Sequence, residues 1–380
     1  MKLLSIEPTP SPNSMKLTVN ETLPSGESLN FTADNPEIAP EFFKQILAVE
    51  GVKSLYRVAD FMALERYPKQ EWEVILPKIR AVFGEGEFSS KYVSDADQKD
   101  KEAYGEIRVF IQMFRDIPMQ ARLEADGEET RIGLPERFME AIMKAQSASE
   151  NVILERRWIE QTPRYGEVDE IQKDVVEELD AAYDQERLTQ LVDQATHKDD
   201  FDIKAGSPFK KVRMVDLEDS DWRKRYAALD RMDPSLDDLP ILEKALYDEK
   251  VAVRRLATIY LGMLKSQEVL AYLYKALHDK TVTVRRTAGD ALSDLGFQEA
   301  IPEMIVALRD PSKIVRWRAA MFLYEIGDFS ALEALKAAQD DLEFEVALQM
   351  KMAIERIEGG QQAKGSVWKQ MTEARRPKNL

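Results

Sequence analysis

The sequence predicts a multidomain protein with an α+β N-terminal half followed by an all-α solenoid. Three observations carry this. Residue pairs recur every 31 positions in the C-terminal half, at Trp222-Arg223, Val253-Arg254, Val284-Arg285, Val315-Arg316 and Val346-Ala347. A period of that size marks stacked helical hairpins. Before residue 165 the pattern is different: short alternating apolar runs, broken by Pro and Gly turns, interleave with amphipathic segments, as in a mixed sheet-and-helix fold. Finally, 380 residues at 44% hydrophobic content are enough for two or three cores.

The first module is read over residues 1–88. Leu3-Leu4-Ser5-Ile6 is a short apolar run before Pro8, and Met15-Lys16-Leu17-Thr18-Val19 alternates as a half-buried strand does. Pro24-Ser25-Gly26 is turn chemistry. Pro40 opens a helix with Phe43, Ile46, Leu47 and Val49 on one side, and Gly51 stops it. Val52–Tyr56 and Phe61–Glu65 read as strands. A second helix follows from Glu71 to Phe83, with Trp72, Ile75, Leu76 and Ile79 in phase and Pro77 at a potential kink.

These residues carry a resemblance. Thr9-Pro10-Ser11-Pro12-Asn13-Ser14-Met15-Lys16-Leu17, then Val49-Glu50-Gly51-Val52, Ala59-Asp60-Phe61-Met62 and Trp72, resemble the N-terminal domain of Nfu-type iron–sulfur scaffold proteins. Ser11 departs from that pattern, where the family commonly has Asn. In those scaffolds a separate domain holds the cluster through a Cys-x-x-Cys pair. This chain has no cysteine, so the resemblance implies an accessory domain that docks to proteins or serves assembly, and no cluster.

A second α+β module is read over 104–165. Ile107–Phe114 and Pro118–Ala125 are strand candidates, Asp126-Gly127-Glu128 a tight turn, Leu134–Met143 a helix and Asn151–Ile159 a further strand. Pro40-Glu41-Phe42-Phe43 and Pro135-Glu136-Arg137-Phe138 share a Pro-Glu helix start and an aromatic at one offset. The module reads either as a diverged duplicate of the first or as a chance likeness, since Pro-Glu is a favoured start. Residues 89–101 read as a linker. Residues 166–207 read as an acidic helical segment and linker, with Val168, Ile171, Val175, Val176 and Leu179 on one face and the acidic side solvated. The tail, 359–380, reads as a flexible terminus.

The repeats are read over 211–358, two helices to a unit. Val251–Gly262, Val282–Gly296 and Ile314–Gly327 are first helices. Segments within Ser266–Leu277, Ile301–Leu308 and Ala331–Ala338 supply the second. Ala257, Ala288 and Ala319 recur where helices pack closely. The pattern Asp-x-x-Val-x-Val-Arg-Arg-x-Ala resembles HEAT repeats, in particular the short type also found in bilin lyases. That resemblance implies that Asp248, Arg254, Asp279, Arg285, Asp310 and Arg316 form a structural ladder bonding the loops of neighbouring units. The next position is less constrained. Arg255, Arg286 and Trp317, with Arg318, are expected to line a basic and aromatic stripe for a protein partner, Arg and Trp being favoured anchors. Their alternative reading is ordinary surface.

Composition narrows the function. Sixty-nine acidic against 53 basic residues give a formal charge of −16, which disfavours nucleic acid and anionic membranes. Without cysteine there is no thiol nucleophile, thiolate zinc site or Cys-ligated cluster. His197 and His278 have no ligand-spaced partner, and no phosphate-binding glycine motif is present. Neither a cofactor nor a metal is expected. No leader or spanning segment is read, so the expected location is cytoplasmic.

The order of modules, with Gly105-Glu106-Ile107-Arg108-Val109-Phe110 and Ile117-Pro118-Met119-Gln120-Ala121-Arg122 between them, is similar to the conserved virulence factor C family of Gram-positive bacteria. That resemblance implies a link to virulence-gene expression. The expectation is a non-catalytic protein–protein adaptor or scaffold whose partners are one or more proteins of unknown identity. The alternatives are an accessory factor in iron–sulfur metabolism that holds no cluster, or a lyase-like cofactor chaperone.

Overall fold

The computed structural model describes residues 1–9, 11–24, 26–84, 105–125, 127–149, 151–196 and 209–360. The linker read at 89–101, Asp126, His197, Gly206-Ser207-Pro208 and the tail beyond 360 lie outside the described residues. The chain divides into two compact units, one made of residues 1–104 with 296–380 and the other of 105–295. The N-terminal half is α+β and the C-terminal half is helical.

In the first unit, β1 (Leu3–Pro8), β2 (Ser14–Val19), β3 (Ser28–Thr32), α1 (Glu41–Leu47), β4 (Val52–Val58), β5 (Phe61–Arg66) and α2 (Trp72–Val82) follow in order. The strands form one antiparallel sheet, β1-β2-β5-β4-β3. Its apolar face, with Leu17, Leu55 and Leu64, packs on Ile46 of α1 and on Trp72, Ile75 and Ile79 of α2. The Trp72 indole N–H donates to the Pro12 carbonyl at 2.8 Å and pins α2 to the β1–β2 turn. Gly51 has φ +97°, and a Cβ there would lie 2.9 Å from Ile75 Cδ1. Both facts call for glycine at the end of α1.

The same unit contains α12 (Ile301–Ala307), α13 (Lys313–Glu325), α14 (Leu332–Ala338) and α15 (Phe344–Glu358). Phe344 and Leu348 of α15 pack against the core of the N-terminal sheet. Around that apolar contact Arg66 pairs with Glu345 at 2.8 Å, and the Tyr324 hydroxyl donates to Glu7 at 3.1 Å. The N-terminal module therefore rests on the last repeat helices.

In the second unit, β6 (Glu106–Phe114), β7 (Ile117–Ala125) and β8 (Glu128–Gly133) form a meander. Then come α3 (Glu136–Gln146), α4 (Val152–Glu155), β9 (Arg156–Glu160), β10 (Arg164–Tyr165), α5 (Val168–Ala182) and α6 (Gln185–Thr196). Both β9 and β10 return to β6, antiparallel. Ile107, Val109, Ile111 and Met113 of β6 pack under Ile171 and Val175 of α5. A second core joins Phe114 and Ile117 to Phe138 and Ile142 of α3 and Leu188 of α6. Completing the unit are α7 (Trp222–Asp230), α8 (Leu239–Leu246), α9 (Val251–Met263), α10 (Leu270–Leu277) and α11 (Val282–Leu295).

Two details differ from the sequence reading, and a third bears on a point it left open. The segment expected as one strand from Asn151 begins as the helical turn α4, because the Asn151 side chain accepts from Leu154 N–H and caps it. The acidic helices α5 and α6, set apart at residue 166, cover the sheet of the second module. The likeness between the two modules is local. Pro40 and Pro135 stand at matching helix starts, with φ −56°, ψ 152° and φ −51°, ψ 151°. The wiring then diverges. In the first sheet the strand after the helix pairs with the strand before it, β4 with β3, whereas in the second it returns to the opening strand, β9 with β6.

Candidate functional site

The ladder is built from one repeated motif. Each of four arginines at a first helix donates through Nη1 to the backbone carbonyl of the Asp six residues earlier: Arg225 to Asp219, Arg254 to Asp248, Arg285 to Asp279 and Arg316 to Asp310, at 2.7–3.0 Å. Arg225, Arg254 and Arg316 also make a two-pronged bond to an Asp of the following repeat, namely Asp248, Asp279 and Asp341. Each of those carboxylates also accepts the backbone N–H two residues on, which orders the loop entering the next helix. Asp310 does the same with Ser312. In the first repeat the ladder residue is Arg225, where the strict 31-residue phase points to Arg223. Arg223 instead lies 3.7 Å from Asp180. The first spacing is two residues short, which hides both Asp219 and Arg225 from the period.

The four residues expected on an exposed stripe are buried: Arg255 is 8% exposed, Arg286 4%, Trp317 1% and Arg318 7%. They form no solvent-facing surface. On α13 the Arg318 guanidinium lies over the Trp317 ring at 5.2 Å. On α9 and α11 the other two meet the second module. Arg255 Nη2 donates to Glu178 of α5 at 3.0 Å, and the Arg286 guanidinium lies 4.5 Å from the Tyr165 ring centroid on β10 while also pairing with Asp290. Arg255 and Arg286 thus face the second module of the chain itself.

Glu178 is the centre of this contact. Arg164 of β10 approaches it end-on, Nη1 to Oε1 at 3.1 Å and Nη2 to Oε2 at 2.6 Å, so two guanidiniums share one buried carboxylate. Burial alone would raise the Glu178 pKa. Arg255 and Arg164 outweigh it and hold the group down to about 2. Burial works against the Arg164 cation, yet Glu178 raises its pKa above the ordinary value. Tyr226 of α7 is pushed well above the ordinary phenol range, by burial first and then by Glu178 and Asp230. Lys250 adds an outer ion pair to Glu177 at 2.7 Å.

Arg164, Glu178 and Arg255 also line a cavity of about 320 Å³. The rest of its lining mixes apolar side chains of β6, β9 and α9 with Gln161, Thr162, Tyr226 and Asp230. The Nε atoms of Arg164 and Arg255 are buried without a hydrogen-bond partner among the described residues.

Sequence reasoning missed Glu178 because it sits in a helix rich in carboxylates. The signal was its phase. Ile171, Val175, Glu178 and Ala182 stand at i, i+4, i+7 and i+11, so this carboxylate lies on the apolar stripe and not on the solvated side.

The fold and the ladder define a helical-repeat protein that carries α+β modules. The family described as "HEAT repeats" matches residues 214–293 and 273–355, "Scaffold protein Nfu/NifU N terminal" matches 4–89, and "Virulence factor" matches 112–192. YpgR of Bacillus subtilis (strain 168) is 56% identical over 99% of both chains. The conserved virulence factor C of Staphylococcus aureus (strain USA300) is 46% identical over 98% of this chain and 99% of its own. The chain belongs to the conserved virulence factor C family. Among solved structures, protein SAV1430 of Staphylococcus aureus is 41% identical over 22% of this chain and 99% of its own, with a TM-score of 0.21. No helix among the described residues is long and apolar enough to cross a membrane.

Proposed function

We propose that this protein is a non-catalytic scaffold whose repeat helices hold protein modules, the first of which are its own. The observation that carries this is the bond between Arg255 of the repeats and Glu178 of the second module. Repeat arrays bind through extended surfaces. Here the positions expected to bind are engaged by α5 and β10 in one unit, and α15 engages the N-terminal sheet in the other. Modules held this way present fixed surfaces to further proteins. The Staphylococcus relatives carry the name of a virulence factor, and for this chain the corresponding role is to assemble proteins that control such genes.

The test is capture of partners by the full-length protein from an extract of a bacterium that carries it, followed by reconstitution from purified components in sedimentation velocity. The scaffold reading expects at least one purified protein to co-sediment with the chain at a fixed stoichiometry. If no captured protein reconstitutes, the reading fails.

A further inference from the structure

Strand β9 leaves one edge of its sheet open. It pairs with β6 along one side only, from Phe114↔Arg156 to Phe110↔Glu160, and no other described strand lies along its far side. In the same register the Gln161 N–H donates to the Val109 carbonyl at 2.8 Å. An antiparallel ladder bonds alternate residues to one neighbour, so Arg157 and Ile159 turn their backbone groups to β6. Trp158 and Glu160 turn theirs outward, and no described backbone group takes them. Arg156 has its carbonyl left on that side, because its N–H donates to the Ile153 carbonyl. A bare edge of this kind is a template for another strand.

The side chains select the strand that fits. Arg156, Trp158 and Glu160 share one face of the sheet, as alternate residues do. The Arg122 guanidinium lies over the Trp158 ring at 4.6 Å, and Glu160 pairs with Arg108 at 2.9 Å while staying 49% exposed. Arg156 is exposed and makes no ion pair among the described residues. Reversed, the strand complements itself. A two-fold axis at Trp158 sets Trp158 against Trp158, Arg156 against Glu160 and Glu160 against Arg156. These are the residues whose backbone groups face outward, so charge and hydrogen-bond register agree. Such a pairing joins the Trp158 backbones to each other and each Glu160 N–H to the opposite Arg156 carbonyl. The β8 edge offers no unmet charge of this kind, since Arg131 and Glu129 pair within the chain at 2.7 Å.

We propose that β9 is a homodimer interface, pairing antiparallel with β9 of a second copy about a two-fold axis at Trp158. One sheet then runs through both copies. The same axis brings Ile153 and Leu154 of α4, 76% and 80% exposed, toward the segment that follows Glu160 in the second copy. A self-complementary pairing closes as a dimer and does not propagate. A single strand edge makes a small interface, so the Kd is expected on the order of micromolar. The inference stands whether or not the scaffold takes a further protein partner.

The test is sedimentation velocity on the full chain across the micromolar range. Wild type is expected to pass from monomer to dimer. Arg156→Glu has no ion pair within the chain to lose, and it is expected to weaken the dimer at least about tenfold, because both cross-strand pairs become Glu against Glu. Glu160→Arg is expected to do the same with Arg against Arg. Mixed in equal amounts, the two variants restore both opposite-charge pairs and are expected to associate as wild type does. A cross-link locates the axis. The chain has no cysteine. Directly opposed residues of this ladder lie about 5.5 Å apart at Cα, within the ~4.4–6.8 Å that a disulfide spans. Trp158→Cys is therefore expected to give a disulfide-linked dimer on mild oxidation with copper–phenanthroline, and Thr130→Cys on β8 to stay monomeric. A wild type that stays monomeric throughout would overturn the proposal. So would a folded Arg156→Glu variant that dimerises undiminished, folded single variants that do not complement each other, or a Thr130→Cys chain that cross-links as readily as Trp158→Cys.

Discussion

Two buried guanidiniums facing one carboxylate make Glu178 the most exposed point of failure in the second unit. Its removal leaves Arg164 and Arg255 buried without their anion, and breaking such a pair costs about 3–5 kcal/mol, far more than a surface ion pair. Glu178→Gln is therefore expected to lower the unfolding free energy of that unit by this amount in urea titration. The same residue sets an acid dependence. Its pKa is held at about 2, below the ordinary 4.5, so its stabilisation is complete above pH 4.5 and is lost as pH falls through about 2. Wild type should lose stability over that window more steeply than Glu178→Gln in acid titration followed by circular dichroism. In the first unit Arg66 has the corresponding place, paired with Glu345 at 2.8 Å and stacked 5.3 Å from the Trp72 ring. Arg66→Ala should cost a similar 3–5 kcal/mol in thermal unfolding, whereas alanine at Lys78, in a solvent-exposed pair with Glu50, should cost less than about 1 kcal/mol.

Between helices the limiting factor is volume. Gly262 of α9 faces Ala291 of α11 so closely that an added Cβ would lie 2.8 Å from the Ala291 Cβ. Helix propensity favours alanine over glycine by about 1 kcal/mol, but overpacking costs about 1–3 kcal/mol, so the clash prevails. Gly262→Ala is expected to lower stability by about 1 kcal/mol, and Ala291→Gly on the same chain should restore part of it. A stabilised Gly262→Ala protein would contradict this packing. Elements of this kind were legible in the sequence, because the 31-residue period fixes which positions meet. Of the arginines expected in the ladder, Arg254 and Arg316 reach an Asp of the next repeat and Arg285 bonds the Asp279 carbonyl, while Arg225 escaped the period because its spacing is shorter. Arg255 and Arg286 were legible as holding one phase on their helices, and their burial was not. What faces them was not legible either, since the Arg255–Glu178 bond spans 77 residues and no local pattern encodes a pairing at that distance. The turn at α4 was lost for a simpler reason: Val152, Ile153 and Leu154 favour a strand as readily as a helix, and the Asn151 cap decides between them.

At the scale of the whole molecule, each unit joins an α+β module to repeat helices through a buried ion pair. In one it is Arg66–Glu345, beside the apolar contact of Phe344 and Leu348, and in the other Arg164–Glu178–Arg255, which ties β10 and α5 to α9. Neither join follows from composition, since a net charge of −16 says nothing about which few charges are buried. If the joins hold the modules in place, loosening one side must loosen the other. The direct measurement is hydrogen exchange by mass spectrometry on the full chain, comparing wild type with Arg255→Gln. Faster exchange is expected in peptides from both α9 (251–263) and α5 (168–182), although α5 carries no substitution. Faster exchange confined to α9, with α5 unchanged, would mean that the repeats do not hold the module and would contradict the scaffold.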